Sequence, residues 1–146
     1  LLSKAPSDTI LVCQPNDNIV ALMGELSAEY LQMKGVLGYI VDGGCRDLEF
    51  INQIRFPVWS KFFTPRDIVG YWKPTEIGEP IKIGDVIIKN GDYLIADIDG
   101  IVIIPRANIT EILTESENLT NTESIIRQEI RGGMDPQEAY LKYQAF

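Results

Sequence analysis

The sequence has no histidine and only two cysteines, Cys13 and Cys45, among its 146 residues. Without histidine, a protein cannot build the common zinc ligand sets or the Ser-His-Asp and Cys-His catalytic groups. Two cysteines are too few for the disulfide framework of a small secreted domain. Any chemistry must therefore be carried by carboxylates, arginine, lysine, backbone amides or a hard metal ion.

Basic residues and long apolar runs are also scarce. The chain has 13 Lys and Arg against 21 Asp and Glu, a formal net charge of -8, which argues against a basic surface for nucleic acid. No apolar run approaches the roughly 18 to 20 residues that cross a bilayer, and the first residues do not resemble a signal peptide. We therefore expect a cytoplasmic protein that has neither nucleic acid nor a membrane as partner.

The first third of the chain has the pattern of a βαβ unit. Residues 9–13 form a β-branched, apolar run typical of a buried strand. Apolar positions between Ile19 and Met33 are spaced as in a helix that runs through about Lys34 and ends at Gly35. Residues 36–41 then predict a second buried strand, which should lie parallel to the first after a right-handed crossover.

The second half of the chain changes to short strands and then to helices. Three strands, over 86–89, 93–97 and 101–104, are predicted to form a β-meander with turns at Asn90-Gly91 and Asp99-Gly100.

After Pro105 the spacing of isoleucine and leucine indicates a mostly helical segment, with an interruption near Asn118 to Asn121 as an alternative, that ends at Gly132-Gly133. Asp135 and Pro136 are typical of an N-cap and first position, and they predict a last short helix that reaches about Tyr143.

The stretch from Asp42 to Glu49 (Asp-Gly-Gly-Cys-Arg-Asp-Leu-Glu) directly follows the second buried strand. Ligands of α/β sheets bind at the carboxyl ends of strands, and glycine lets the backbone approach them closely. Arg46 can donate two hydrogen bonds to a carboxylate or enolate, and Asp47 can bind a hard divalent cation. The structural alternative is a tight turn in which Asp47 caps a helix and Glu49 is solvated.

A second candidate element, Gly24-Glu25-Leu26, lies near the start of the predicted helix. Backbone amides at a helix start, or at an irregular turn that enters one, form an anion site. The alternative is an amphipathic helix that tolerates Gly24 and exposes Glu25. Together, the two elements could bring an anion site, an arginine and a carboxylate into one crevice, which would suit a small 2-oxo acid.

Several segments together resemble the RraA-like family, which includes the class II 4-hydroxy-4-methyl-2-oxoglutarate aldolases, enzymes that are also active as oxaloacetate decarboxylases. The most specific part is Gly24-Glu25-Leu26 followed by Arg46-Asp47-Leu48-Glu49. The other segments that carry the resemblance are 34–38, 41–45, 56–59, 64–65 and 91–105, and the likeness extends to Glu123, Arg127 and Gly132-Gly133.

The resemblance implies roles for the substrate-binding and catalytic residues. The backbone amides of Gly24, Glu25 and Leu26 would bind the pyruvyl carboxylate, and Arg46 would contact the keto oxygen that becomes an enolate. An acid at the position of Glu25 orients a water for proton transfer in the family. This chain has glutamate where the aldolases have aspartate, so the side chain is one methylene longer.

The resemblance also implies a cofactor and its ligands. Asp47 would bind Mg²⁺ or Mn²⁺ in a site still rich in water, and Glu49 would be an acid farther from the ion that contacts its water ligands. A glutamate from a neighbouring subunit can reach the site in this family, and Glu123 is a candidate for it.

The fold class implied is α/β: a β-β-α sandwich of the RraA-like type, related to swivelling phosphohistidine domains, with C-terminal helices. Residues 1–146 would form a single RraA-like domain that lacks an N-terminal portion, and the protein would be a homo-oligomer, either a trimer or a hexamer.

The implied activity is a divalent-metal-dependent lyase. It would cleave a 4-hydroxy-2-oxo acid to pyruvate and decarboxylate oxaloacetate, in both cases through a metal-stabilised pyruvate enolate. The alternative from another class is an RraA-type regulator that binds a ribonuclease without catalysis. The presence of Asp47 favours the enzyme, since the acid after the arginine is not kept in the regulators. A third alternative is a former enzyme that is retained for assembly.

Overall fold

The computed structural model describes residues 1–144. The chain forms two compact units, one over Leu1–Asn90 and a second that begins at Gly91.

The first unit is built on a four-stranded parallel sheet. Its strands are β1 (Ile10–Cys13), β2 (Ala21–Met23), β3 (Gly38–Cys45) and β4 (Val58–Phe63). The long strand β3 is central: β1 pairs with its first half and β2 with its end, while β4 pairs along the other edge. The carboxyl ends of β2, β3 and β4 therefore meet at one edge of the sheet.

Two helices connect these parallel strands. Helix α1 (Glu25–Met33) leads from β2 to β3, and helix α2 (Leu48–Gln53) leads from β3 to β4. Gly35, at a φ of 79°, ends α1 as the sequence predicted. A short 3-10 helix, Leu2–Lys4, precedes β1. The core between sheet and helices is apolar; its largest fully buried side chains are Tyr39, Met23, Leu31, Val20 and Cys45.

The sequence predicted the wrong boundaries for one helix and one strand of this unit. Residues 21–23 form strand β2 and not the first turns of the helix, which begins only at Glu25. Strand β3 does not close at Asp42 but continues through both glycines to Cys45. Gly44 is required there by close packing, since a Cβ atom would lie 2.6 Å from the Val20 carbonyl oxygen. The parallel pairing of β1 with β3 is confirmed.

The predicted three-stranded meander is replaced by two separate hairpins. In the first unit, β6 (Val86–Ile88) pairs antiparallel with β5 (Ile81–Ile83), a strand that the sequence did not predict. In the second unit, β7 (Tyr93–Ala96) pairs antiparallel with β8 (Ile101–Ile104). The Asp97 carboxylate closes the turn between them by accepting hydrogen bonds from the Asp99 and Gly100 amides at 2.8 and 3.2 Å.

The second unit ends in two helices. Helix α3 (Ile109–Arg131) follows a 3-10 turn, Arg106–Asn108, and runs without the interruption that was an alternative near Asn118. Helix α4 (Pro136–Tyr143) begins as predicted, with the Asp135 side chain accepting hydrogen bonds from the amides of Gln137 and Glu138. Of the helices in residues 1–144, none combines the length and the apolar character needed to span a bilayer.

Candidate functional site

The start of helix α1 lies at the carboxyl edge of the parallel sheet. Strand β2 ends at Met23, Gly24 occupies the N-cap position in an extended conformation, and no side chain of the cap residue bonds to the helix. The first amides of a helix have no acceptor within it and carry the positive end of its dipole. Here the Glu25 amide donates to Asp47 Oδ2 at 3.1 Å, so a carboxylate from the next loop binds the helix start.

Gly24 provides the space for this contact. A Cβ atom at position 24 would lie 2.7 Å from Asp47 Oδ2 and 3.0 Å from Arg46 Nε. The φ of Gly24 is -152°, a value that any residue adopts, so glycine is needed here for the close approach and not for its backbone freedom.

Arg46 and Asp47 directly follow strand β3. The Arg46 amide donates to the Met23 carbonyl at 2.9 Å, which ties this turn to the end of β2. Asp47 then adopts a left-handed conformation, with φ 59° and ψ 36°, and helix α2 begins at Leu48. Asp47 holds the N-cap position of α2, but its side chain makes no capping hydrogen bond there. The structural alternative is thus confirmed for the position of Asp47 as the N-cap residue and for the exposure of Glu49, but the Asp47 carboxylate bonds to the start of α1 and not to α2.

The Arg46 guanidinium lies between two carboxylates. Its Nε is 3.3 Å from Asp47 Oδ2, and its Nη1 donates to Asp67 Oδ2 at 2.8 Å. The side chain of Arg46 is 35% exposed, so the ion pairs remain open to solvent. The Asp67 hydrogen bond is the main cause that raises the pKa of Arg46 above its ordinary value. Arg46 is thus a permanent cation whose Nε and Nη1 are each paired with a carboxylate.

Asp67 is a site residue that the sequence analysis missed. It follows strand β4, and its Oδ1 accepts a hydrogen bond from the Val69 amide at 2.9 Å. That bond and, second, the contact with Arg46 lower the pKa of the Asp67 carboxyl. A signal for Asp67 was present, since β4 is parallel to β3 and polar residues after parallel strands meet at the same edge of the sheet.

Three other predicted residues lie on three helices, Leu26 on α1, Glu49 on α2 and Glu123 on α3. Leu26, 74% exposed, follows Glu25 in the first turn of α1. Glu49 lies exposed in the first turn of α2. Within residues 1–144, the side chains of Glu25 and Glu49 form no hydrogen bond or ion pair with another residue. Glu123 is an exposed residue of α3 in the second unit, and its role toward a neighbouring subunit stays a prediction.

The donor set around Asp47 fits a hard divalent cation that keeps most of its water. Among the residues that the structure describes, no group of three or more Cys, Asp and Glu could hold a metal by itself. Mg²⁺ is usually bound through one or two carboxylates together with water and substrate oxygens, and so does not need such a group. Both contacts of the Asp47 carboxylate are made by Oδ2, which leaves Oδ1 for a cation.

Three groups that can stabilise charge lie next to one another at this site. Amides at the start of α1 favour an anion, the Arg46 guanidinium offers further N–H donors, and the Asp47 carboxylate can bind a cation. Such a site can hold a small carboxylate and stabilise negative charge that develops on a neighbouring oxygen.

Comparison with known proteins gives consistent results. The chain is 34% identical over 118 residues to the uncharacterized protein MJ0644 of Methanocaldococcus jannaschii, over 79% of this chain and 55% of that protein. It is 31% identical over 86 residues to the 4-hydroxy-4-methyl-2-oxoglutarate aldolase of Thermus thermophilus, over 59% of this chain and 52% of that protein. The chain thus spans about half the length of these curated relatives.

A solved structure shows the same fold. RraAS2 of Streptomyces coelicolor, described as an unusual member of the RNase ES inhibitor RraA protein family, superposes with a TM-score of 0.81 at 26% identity, over 88% of this chain and 66% of that chain. The mixed α/β architecture with C-terminal helices is therefore the RraA fold that the sequence predicted. Residues 1–103 match the RraA-like family, described as Aldolase/RraA, and because this match covers most of the chain, the protein belongs to that family.

Proposed function

We propose that this protein is a divalent-metal-dependent lyase. It cleaves a 4-hydroxy-2-oxo acid of the 4-hydroxy-4-methyl-2-oxoglutarate type to pyruvate and decarboxylates oxaloacetate at the same site. One observation carries the proposal: at the open edge of the sheet, Asp47 Oδ2 contacts both the Arg46 guanidinium and the first amide of α1. The relative named as an aldolase supports this reaction class.

The substrate carboxylate binds at the start of α1 in this proposal. The Glu25 amide already donates to Asp47 Oδ2, while the Leu26 amide comes next in the first turn and has no acceptor within the helix. A carboxylate placed there gains charge-assisted hydrogen bonds and the favourable end of the helix dipole. Gly24 adds no side chain of its own to the space beside these amides, where Asp47 Oδ2 and Arg46 Nε already lie.

Arg46 stabilises the charge that develops as the carbon–carbon bond breaks. When the C3–C4 bond of the 4-hydroxy-2-oxo acid is cleaved, the 4-hydroxyl group gives its proton to solvent and becomes the carbonyl of the second product. The electron pair of the broken bond moves toward C3 and onto the keto oxygen, which gives the enolate of pyruvate. The guanidinium donates to that oxygen with N–H groups that neither Asp47 nor Asp67 uses. The same enolate forms when the departing group is CO₂, so one site serves both reactions.

Asp47 would hold the cation, with Glu49 near the ion's water ligands. When bound there, Mg²⁺ or Mn²⁺ would supply Lewis-acid stabilisation of the keto oxygen. Glu25, at the open start of α1, would hold the water that donates a proton to C3 of the enolate. Its side chain is exposed and has one more methylene than an aspartate.

The test is pyruvate release by the full-length protein. Oxaloacetate and 4-hydroxy-4-methyl-2-oxoglutarate are supplied with Mg²⁺ and, in parallel, after treatment with a chelator. We expect metal-dependent pyruvate release by the wild type and by Arg131→Ala, a control variant in the last turn of α3. Release that is indifferent to the chelator, or absent with both substrates, would refute the proposal.

A second candidate function is supported by the fold of RraAS2, a protein described in terms of RNase inhibition. In that case the protein would bind a ribonuclease and have no catalytic role. The Arg46–Asp47 contact at the helix start favours the lyase. Stable binding to purified RNase ES, the enzyme in the description of RraAS2, together with no metal-dependent pyruvate release, would reverse that preference.

A further inference from the structure

Both oxygens of the Asp67 carboxylate accept hydrogen bonds, one from Arg46 and one from the loop of Asp67 itself. Asp67 Oδ2 accepts the Arg46 Nη1 hydrogen bond at 2.8 Å, while its Oδ1 is bound by the Val69 amide at 2.9 Å. The carboxylate is therefore oriented by its own loop before it meets the guanidinium. An ordinary surface ion pair has no such second constraint.

The loop that carries Asp67, residues 64–72, is tied to the strands that carry the site. The Thr64 amide donates to the Cys45 carbonyl at 3.1 Å, at the end of β3. The Arg66 carbonyl accepts from the Ala21 amide of β2 at 2.9 Å. At the far end of the loop, the Trp72 indole N–H donates to the Pro15 carbonyl at 2.9 Å. These hydrogen bonds fix the position of Asp67 relative to β2 and β3, the strands that precede Gly24 and Arg46.

The two carboxylates constrain different parts of the guanidinium. Asp47 is paired with Nε and Asp67 with Nη1, so the plane of the group is held at two of its three nitrogens. A guanidinium has five N–H donors, and the donors not used by these contacts remain for a bound oxygen. Without Asp67, the contact of Nε with Asp47 would be the ion pair that still constrains the guanidinium.

We infer that Asp67 is a positioning residue, which orients the Arg46 guanidinium toward the keto oxygen of the substrate. This inference rests on the proposed lyase function and adds a residue to it. Asp67 is not a catalytic residue, since it acts only through Arg46. The side chains of Arg46 and Asp67 are 35% and 49% exposed, and exposed ion pairs add little to stability. Loss of this pair should therefore change the orientation of the guanidinium far more than the free energy of unfolding.

The variant Asp67→Asn isolates this contact. Asparagine keeps an oxygen for the Val69 amide, and so preserves the turn, but removes the charge that faces Arg46. Asp17→Asn is the matched control, because Asp17 accepts hydrogen bonds from the Ile19 and Val20 amides at 2.8 Å in a similar turn, whereas the ion pairs of Arg46 are with Asp47 and Asp67. Asp67→Glu restores the charge.

Steady-state pyruvate release and thermal unfolding are measured for these variants. We expect Asp67→Asn to lower kcat by about 10- to 100-fold, the range found when an outer partner of a functional group is removed, with little change in KM or melting temperature. Asp17→Asn should keep the wild-type kcat, and Asp67→Glu should recover part of the loss. In an Arg46→Lys background, Asp67→Asn should have little further effect, because the two residues act as a unit.

Each outcome decides between the positioning role and its alternatives. An active wild type with the same kcat in Asp67→Asn and Asp17→Asn overturns this inference alone. The inference is also overturned if the loss of kcat in the Arg46→Lys, Asp67→Asn double variant equals the product of the two single losses. It is overturned as well if Asp67→Glu has a kcat as low as that of Asp67→Asn. If Asp67→Asn fails to fold, Asp67→Glu and its combination with Arg46→Lys decide the matter in the same way. A wild type that releases no pyruvate overturns both this inference and the proposed function.

Discussion

Gly24 leaves the space through which the Asp47 carboxylate reaches the start of helix α1: a Cβ atom at position 24 would lie 2.7 Å from Asp47 Oδ2. The same missing atom would lie 3.0 Å from Arg46 Nε. One glycine therefore determines whether the two charged side chains of the site can hold their observed positions.

The variant Gly24→Ala tests this relationship. Because the backbone at position 24 is extended and the crowded atoms belong to flexible side chains, we expect the protein to fold with nearly unchanged stability. Arg46 and Asp47 must move, however, and a displacement near 1 Å can cost about 10²-fold in rate. Gly132→Ala, at the C-cap of α3, is the control. Wild-type pyruvate release by Gly24→Ala would show that the close approach has no functional role.

Replacement of Arg46 tests the proposed stabilisation of the enolate. For Arg46→Ala we expect a loss of about 10² to 10³ in kcat, comparable with the loss of one oxyanion donor. Arg46→Lys keeps the charge but not the planar set of donors, so it should recover only part of this loss. The measurement is pyruvate release from oxaloacetate at saturating substrate, with Arg131→Ala and Arg131→Lys as matched controls. Full activity in Arg46→Ala would contradict the account.

Removal of the carboxylate tests the cation site. Asp47→Asn keeps the size of the side chain but weakens the binding of a hard divalent cation. We expect this variant to need a much higher Mg²⁺ concentration for half-maximal pyruvate release, by about 10-fold or more. A titration of activity against Mg²⁺ measures the shift. The same half-maximal concentration in Asp47→Asn and wild type would place the cation elsewhere.

The buried thiol beside the site makes stability depend on pH. Burial raises the pKa of Cys45 from its ordinary value of 9.0 to about 11. Between these two values the unfolded chain has lost the thiol proton and the folded chain retains it, so folding binds a proton and stability falls as the pH rises. Below pH 9 this contribution is fully present, and above about pH 11 no more is lost.

Urea unfolding at pH 8 and pH 10.5 measures this effect. In the wild type, Cys45 alone should lower the free energy of unfolding by about 2 kcal/mol over this interval, since each pKa unit corresponds to about 1.4 kcal/mol. Cys45→Ala should lack this contribution, although its stability at pH 8 is lower because a buried atom is removed. An equal pH dependence in both proteins would show that the thiol titrates normally.

Much of the site was predictable because parallel strands have a fixed polarity. Arg46 and Asp47 follow a strongly apolar strand, and the start of the preceding helix must lie beside that strand end in a βαβ unit. Gly24, Glu25 and Arg46 could therefore be placed together from sequence spacing and the family resemblance. Helix α4 was predictable for a local reason, since Asp135 and Pro136 determine its start.

The errors concern features that depend on tertiary contacts. Strand β2 has only three residues, too few to show an alternating pattern, and its apolar neighbours continue the helical spacing of α1. Strand β5 is equally short, so the pairing of β6 with it was not predictable. The position of Asp67 after the parallel strand β4 points to the site, but its contact with Arg46 depends on hydrogen bonds from its loop to β2 and β3.

Proton exchange at pyruvate tests the central claim most directly, because an enzyme that stabilises the pyruvate enolate must also form it from pyruvate. The wild-type protein is incubated with pyruvate and Mg²⁺ in D₂O, and the methyl signal is followed by proton NMR. The account predicts that the wild type accelerates the loss of this signal and that Arg46→Ala does so about 10²-fold more slowly. No acceleration by the wild type, or an equal rate in Arg46→Ala, would contradict it.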